Sequence, residues 1–379
     1  MLIGPYARFR VQYGTKIDDY LEQRERCLRA LRMTCKAMRL RLFPWIWGHI
    51  EPSFGDHMGN LKVIVNASRA DRSFASSVRY FCALLRSCGL RLIRSLYRFM
   101  TLHSLWNVAK FPLLVECLES LPNLHTLAIG SLDSYITGSI EDALKHCELP
   151  QIKALILPPS AHPLIKHCYN VEGVDCVVSN RPIPPNKFFG FLESIRGSNI
   201  KQLAIPLVSC YDASSKWSVT LWYHRVRWRL TVSTIEYVAT CRGLTELTIT
   251  YPHTYETPVS RTGALIDKVE TARSMTLALV NVCKELPDFD TIQIVYFIPG
   301  AALMYFGEDC AVLPCSEGQK QALREWVKGV TDLAIDCLKK PGAGSREWEG
   351  RKTTVRVIEL SLDYPMPHLA PPKVEVYEV

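Results

Sequence analysis

The sequence predicts an α/β fold in which parallel strands, with helices on their outer side, follow one another as irregular repeats. The first observation is an apolar pattern that occurs in seven segments of the chain. The second is that a helix-like segment precedes each of them. The third is the length, because 379 residues of which 48% are apolar exceed a single core of about 250 to 300 residues. Such a chain either divides into domains or extends by repetition.

The strand-like segments share apolar residues at the first, fourth and sixth positions, and the last two of these lie on one face of a strand. The segments are LHTLAI (124–129), IKALIL (152–157), VDCVVS (174–179, with serine at the sixth position), IKQLAI (200–205), LTELTI (244–249), IQIVYF (292–297) and VIELSL (357–362). We expect four leucines in these segments to be buried at equivalent places in adjacent parallel strands. They are Leu127, Leu155, Leu203 and Leu247.

The helix-like segments have apolar residues at three- and four-residue spacing and a Pro or Gly near their exit, as in PLLVECLESLP before Leu124. Steps between the first apolar positions are 28, 22, 26, 44, 48 and 65 residues. The first three lie in or near the range of about 20 to 29 residues for leucine-rich repeats, so later repeats contain insertions. The prediction is an irregular leucine-rich-repeat-like solenoid over residues 51–365. A doubly wound sheet is the alternative, less favoured because no dinucleotide or phosphate loop follows a strand.

Catalytic, metal and cofactor sites are not predicted. The sequence contains no G-x-S-x-G, H-E-x-x-H or phosphate-loop motif, so we expect no enzyme activity and no cofactor. Its 14 cysteines include no C-x-x-C pair, which favours free buried thiols over a zinc site or disulfide framework.

No run reaches the 18 to 20 apolar residues of a membrane helix, and Arg8 and Arg10 interrupt any signal peptide. We therefore expect a cytoplasmic or nuclear protein that does not enter membranes.

Positive charge is concentrated at the N-terminal end, where residues 1–110 contain 19 Lys and Arg against 7 Asp and Glu. A basic end of this kind could contact nucleic acid or an acidic protein surface. Its arginines are spaced along helix-like segments rather than gathered in one run, which favours solvated helix faces. A nucleic-acid partner is therefore an alternative but not the favoured one.

Residues 17–50 form a helix-like segment with an apolar face. Leu28, Leu31, Cys35 and Met38 share this face, and the segment LFPWIW follows it. The elements IDDYL, LRALRMTCKAMR and LFPWIW resemble the second half of an F-box as it occurs in fungal F-box and leucine-rich-repeat proteins. The resemblance is partial, since the opening MLIGPYARFRVQYGTK does not match the first half of an F-box.

The F-box resemblance implies a substrate receptor that performs no chemistry itself. In that family the box docks on the Skp adaptor of a cullin-RING ubiquitin ligase, and the repeats hold a target protein. The implied Skp-docking residues are Leu28, Leu31, Cys35 and Trp45. The predicted organisation is a short all-α F-box-like segment (1–50), the solenoid (51–365) and a C-terminal tail (366–379). Residues 17–50 could instead be a helical cap over the first repeat, and the protein a repeat-based scaffold without a ligase.

An aromatic and basic insertion lengthens one repeat at residues 209–230, SCYDASSKWSVTLWYHRVRWRL. Tryptophan, tyrosine and arginine are enriched in interface hot spots, and loops on rigid scaffolds commonly bind partners. Trp222, Arg225 and Arg229 are spaced to share one helical face, so they are the candidate target-binding residues. The alternative is that the aromatic side chains pack on the solenoid itself.

Overall fold

The computed structural model divides the chain into two compact units, Met1–Ile195 and Arg196–Val379. It describes residues 30, 49–50, 57–84, 111–130, 137–177, 185–196, 198–207, 233–251, 262–298, 301–306, 309–314, 316–340, 352–361 and 373–379. Both units combine helices with mainly parallel strands. The predicted α/β class is therefore confirmed.

The first unit contains a parallel sheet with the strand order β1-β2-β3-β4-β5. Its strands are β1 (His49–Ile50), β2 (Tyr80–Leu84), β3 (Thr126–Gly130), β4 (Ala154–Leu157) and β5 (Gly173–Cys176). Its helices are α1 (His57–Ala70), α2 (Arg72–Ser77), α3 (Phe111–Glu119), α4 (Thr137–Leu144), α5 (Pro163–His167) and α6 (Pro185–Ile195). A 3-10 turn at Pro159–Ala161 leads from β4 into α5.

The second unit contains a sheet with the order β6-β7-β8-β11-β12, in which only the pairing of β11 with β12 is antiparallel. Its strands are β6 (Gln202–Pro206), β7 (Glu246–Thr250), β8 (Thr291–Ile298), β9 (Ala301–Phe306), β10 (Asp309–Pro314), β11 (Thr354–Ser361) and β12 (Lys373–Glu378). Its long helices are α7 (Thr262–Lys284) and α8 (Glu317–Lys339), and residues 233–240 are also helical. Strands β9 and β10 follow β8 in the chain and form a separate antiparallel pair.

All seven strand-like segments coincide with strands, namely β3, β4, β5, β6, β7, β8 and β11. Within each unit the described parallel strands lie side by side in chain order. A doubly wound sheet reverses its strand order at a switch point, and no reversal occurs among the described strands of either unit. The strand order is thus sequential within each unit.

The four predicted leucines occupy equivalent places in parallel strands. Leu127 lies beside Leu155 in β3 and β4, and Leu203 lies beside Leu247 in β6 and β7. All four are at most 1% exposed. This prediction is confirmed for these two pairs, in which the fourth positions of neighbouring segments lie side by side. In β5 and β8 the register instead sets the first apolar position of the segment beside the leucine of the preceding strand.

Helix α8 covers one face of the second unit's sheet with an apolar stripe. The buried residues of the stripe recur at three- and four-residue intervals, at Val327, Val330, Ala334 and Leu338. The ammonium group of Lys284, 4% exposed at the end of α7, donates hydrogen bonds to the carbonyl oxygens of Cys337, at 3.0 Å, and Lys340. A positive charge at a helix C-terminus is favourable, so Lys284 caps α8.

Two segments differ from the predicted organisation. The short strand β1 pairs with β2 at His49–Ile50, so the all-α assignment of residues 1–50 does not extend to its last two residues. Residues 373–378, placed in the predicted tail, form β12 instead. Pairing with a neighbouring strand determines both of these elements, and an apolar pattern within one segment does not reveal such pairing.

Candidate functional site

The residues predicted to bind partners lie outside the described residues. These are the Skp-docking candidates Leu28, Leu31, Cys35 and Trp45 and the target-binding candidates Trp222, Arg225 and Arg229. Both sets therefore stay predictions. The described residues contain three buried or half-buried polar groups: the Glu246 network, the Glu359 ion pair and the contact of His162 with Ser194.

A polar network joins three strands on the sheet face of the second unit that is turned away from the leucines. The side-chain amide of Gln202 donates to Oε2 of Glu246 at 3.1 Å, and the amide of Gln293 donates to Oε1 of the same carboxylate. Glu246 and Gln293 are each 9% exposed. Because side chains alternate along a strand, these residues and the buried leucines face opposite sides of the sheet.

The Glu246 network fits a structural role. Its donors are neutral amides, which neither accept nor release a proton at ordinary pH. A buried network that links neighbouring strands is worth most when all its partners are present, so it fixes the strands at one register. The signal in the sequence is the alternation of polar residues with apolar ones in TELTIT, where Glu246 occupies the face opposite to Leu247 and Ile249.

The sheet face opposite to the leucines is buried in both units. In the first unit Ile156 and Asp175 on this face are at most 1% exposed, and in the second unit Val295 is 1% exposed and Thr248 is 5% exposed. Burial of both faces is typical of parallel sheets. A macromolecule cannot reach this face at these positions.

A partly buried ion pair attaches α8 to the sheet. Arg324 donates from Nε to Oε2 of Glu359 at 2.9 Å and from Nη2 to Oε1 at 3.0 Å. The hydroxyl of Tyr296 donates to Oε2 at 2.7 Å, and the ammonium of Lys373 lies 3.4 Å from Oε1. Glu359 is only 6% exposed, so its charge is stabilised by these partners rather than by water.

Tyr296 and Arg324 keep their protons beside Glu359. Burial raises the pKa of Tyr296, and the adjacent Glu359 raises it further. The hydrogen bond to Glu359 raises the pKa of Arg324. Tyr296 is therefore a hydrogen-bond donor and not a general base, and the carboxylate has four favourable contacts. This arrangement stabilises the packing of the helix on the strands.

A serine and a histidine meet in the first unit, but their geometry does not activate the serine. Nδ1 of His162 lies 3.2 Å from Oγ of Ser194, and the same hydroxyl donates to the carbonyl oxygen of Gly190 at 2.8 Å. Because its proton is directed to that carbonyl, Ser194 accepts from His162 rather than donating to it. Burial lowers the pKa of His162 to about 4. The neutral ring packs closely on Gly190, where a Cβ atom would lie 2.6 Å from its Nε2.

The described cysteines are free, and six of the seven are buried. Burial is the main cause that raises the pKa of Cys117, Cys147 and Cys168 to about 12. A thiol attacks or binds metal as the thiolate, so these groups are poor nucleophiles. The prediction of free buried thiols is confirmed for these residues.

Metal ligands and membrane-spanning helices are two further features that would indicate a function. The described residues include no group of three or more His, Cys, Asp or Glu side chains that could hold a metal ion. None of the helices in the described ranges is long and apolar enough to cross a membrane. In comparisons with known proteins, no protein-family model and no curated protein matches the chain.

Proposed function

We propose that this chain is a protein-interaction receptor, the substrate-recognition subunit of a Skp-cullin-F-box ubiquitin ligase in the cytoplasm or nucleus. The observation that supports a receptor most strongly is the stacking of equivalent leucines in consecutive parallel strands, as in Leu203 and Leu247. Irregular leucine-rich repeats have this arrangement, and repeat proteins commonly bind other proteins. The connection to the ligase rests on the resemblance of residues 17–50 to an F-box.

The chemistry of the described polar groups also supports binding rather than catalysis. The Glu359 carboxylate already has contacts with Arg324, Tyr296 and Lys373, His162 is neutral and packed on a helix, and the buried thiols are protonated. A receptor needs a stable scaffold and an accessible surface, and these groups contribute to the scaffold.

Coexpression of the full chain with the Skp adaptor tests the proposal. The unmodified chain should copurify with Skp, and a variant carrying Leu31→Ala and Trp45→Ala should lose it while its circular dichroism stays unchanged. Met33→Ala, on the opposite side of the same predicted helix, is the matched control and should retain Skp.

The other outcomes of this experiment distinguish the alternatives. Loss of the fold in the double variant would favour residues 17–50 as a helical cap. If the unmodified chain does not bind Skp, the ligase role is refuted, and a repeat-based scaffold remains. Binding to an oligonucleotide that weakens steeply with salt would indicate the nucleic-acid alternative, because phosphate contacts release counterions.

The insertion at residues 209–230 is the proposed target contact outside the described residues. Replacing Arg225 and Arg229 with Ala should weaken binding of the copurified target without lowering the melting temperature appreciably. Unchanged target binding would indicate that the insertion only packs on the repeats.

A further inference from the structure

Strand β12 has an exposed edge. It pairs with β11 on one side, and none of the other described strands pairs with it. Five of its six side chains are exposed, including Val374 at 52% and Val376 at 57%. Exposed sheet edges are templates for an additional strand, and most proteins cover or charge them.

The hydrogen-bond pattern between β11 and β12 identifies the backbone groups of β12 that point away from β11. Thr353 and Val379 exchange two hydrogen bonds, of 2.9 and 3.0 Å. Residue pairs in an antiparallel ladder alternate between hydrogen-bonded and non-hydrogen-bonded. The N–H and C=O groups of Val374, Val376 and Glu378 therefore point outward. The two exposed valines thus also present backbone donors and acceptors to an incoming strand.

The charges along this edge favour a basic partner. The ammonium of Lys373 lies 3.4 Å from the buried carboxylate of Glu359 and is engaged there. Glu375 and Glu378 are exposed, and Glu375 accepts only a neutral hydrogen bond of 2.6 Å from the hydroxyl of Tyr377. Glu375 and Glu378 outnumber Lys373 along the strand, so β12 itself has a net charge of −1.

A second copy of β12 fits this edge poorly. A symmetric antiparallel pair has to place outward-pointing residues opposite each other, and two registers do so for both valines. One such register sets Val374 opposite Val376 and Glu375 opposite Glu375, which brings like charges together. The other sets Val376 opposite itself and Val374 opposite Glu378, which places a carboxylate against an apolar side chain.

We propose that β12 is a docking strand for an extended basic segment of the target protein, which adds to the sheet as its next strand. β-branched apolar residues of that segment lie beside Val374 and Val376, and Lys or Arg residues lie beside Glu375 and Glu378. Main-chain hydrogen bonds supply the affinity in this mode of recognition, and alternate side chains supply the specificity. The inference rests on the proposed function as a receptor. It agrees with the burial of the sheet face opposite to the leucines.

A labelled peptide tests the docking strand on the full chain. Read antiparallel to β12, the sequence Lys-Thr-Val-Arg-Val places Lys opposite Glu378, valines opposite Val376 and Val374, and Arg opposite Glu375. We expect this peptide to bind in fluorescence anisotropy at least tenfold more tightly than Glu-Thr-Val-Glu-Val. Substitution of the central valine of the peptide by proline should abolish binding, because proline lacks the donor.

Variants of Val376 distinguish loss of the docking edge from loss of the fold. Val376→Pro removes an outward N–H group and is tolerated on an edge strand, so it should abolish peptide binding with little change in melting temperature. Val376→Thr keeps the backbone donor and should bind within about threefold of the unmodified chain. Raising the salt concentration to 0.5 M should weaken binding several-fold, because exposed charge pairs are screened.

Three results would overturn the docking strand: equal binding of the basic and acidic peptides, binding that survives Val376→Pro, or a dimer in light scattering that the same substitution dissociates. The last would identify a second copy as the occupant. Val376→Pro should still copurify with Skp, and this measurement keeps the two proposals apart. If the unmodified chain binds the peptide but does not bind Skp, the docking strand stands and the ligase role fails.

Discussion

Truncation of Leu247 to alanine tests the packing of neighbouring strands in the second unit. Leu247 is fully buried between Leu203 and Ile292 of the neighbouring strands. Removing its three terminal carbons loses about 2.4 kcal/mol of transfer free energy, at about 0.8 kcal/mol for each carbon. Because strands on both sides limit collapse of the cavity, we expect a total cost of about 3 to 5 kcal/mol. Urea unfolding followed by circular dichroism measures it.

Matched variants make this prediction specific. Leu323→Ala, at a half-buried position of α8, should cost clearly less. In double-mutant cycles Leu247→Ala should couple with Leu203→Ala by about 0.5 kcal/mol or more, because the two side chains are adjacent. Leu203→Ala and Val355→Ala should be additive, since β6 and β11 are three strand spacings, or about 14 Å, apart. A cost below about 1 kcal/mol for Leu247→Ala, or strong coupling of Leu203 with Val355, would refute the strand order.

Three further predictions concern the buried polar groups. Arg324→Ala should destabilise the chain by about 2 to 4 kcal/mol in urea unfolding, because the Glu359 carboxylate loses both hydrogen bonds from the guanidinium. Lys320→Ala, which removes an exposed pair, should not destabilise it measurably. Since the pKa of His162 falls to about 4 on folding, from 6.5, the unfolded chain binds the proton more readily, so stability should fall as pH falls through this window. His162→Gln should flatten that dependence, and an equal slope would contradict it. Native alkylation at pH 8, located by mass spectrometry, should spare Cys117, Cys147 and Cys168 until the chain unfolds.

The strands of the repeat could be predicted because their determinants are local. The spacing in IKQLAI fixes which side chains of β6 face the helices, and the same spacing recurs in β7, so both strands could be placed from their own residues. Strand β12 has no such pattern, since its valines are exposed and its order comes from pairing with β11. Strand β2 was not predicted for a similar reason, because YFCAL has apolar residues on both sides and no preceding repeat.

The polar groups could not be paired from the sequence because their contacts are distant along the chain. Glu246 meets Gln202 and Gln293 across 44 and 47 residues, and Arg324 meets Glu359 across 35. Nothing in the neighbourhood of Glu359 within the chain distinguishes a buried carboxylate from an exposed one. Only the strand order and the packing of α8 bring these partners together.

Affinity purification of the tagged full chain from its own cells, followed by mass spectrometry, tests the central claim most directly. The account predicts that the Skp adaptor and a cullin copurify with the unmodified chain, together with at least one further protein as the target. The variant with Leu31→Ala and Trp45→Ala should lose Skp and the cullin and keep the target. Absence of both ligase subunits from the unmodified chain, under conditions in which another F-box protein retains them, would contradict the account.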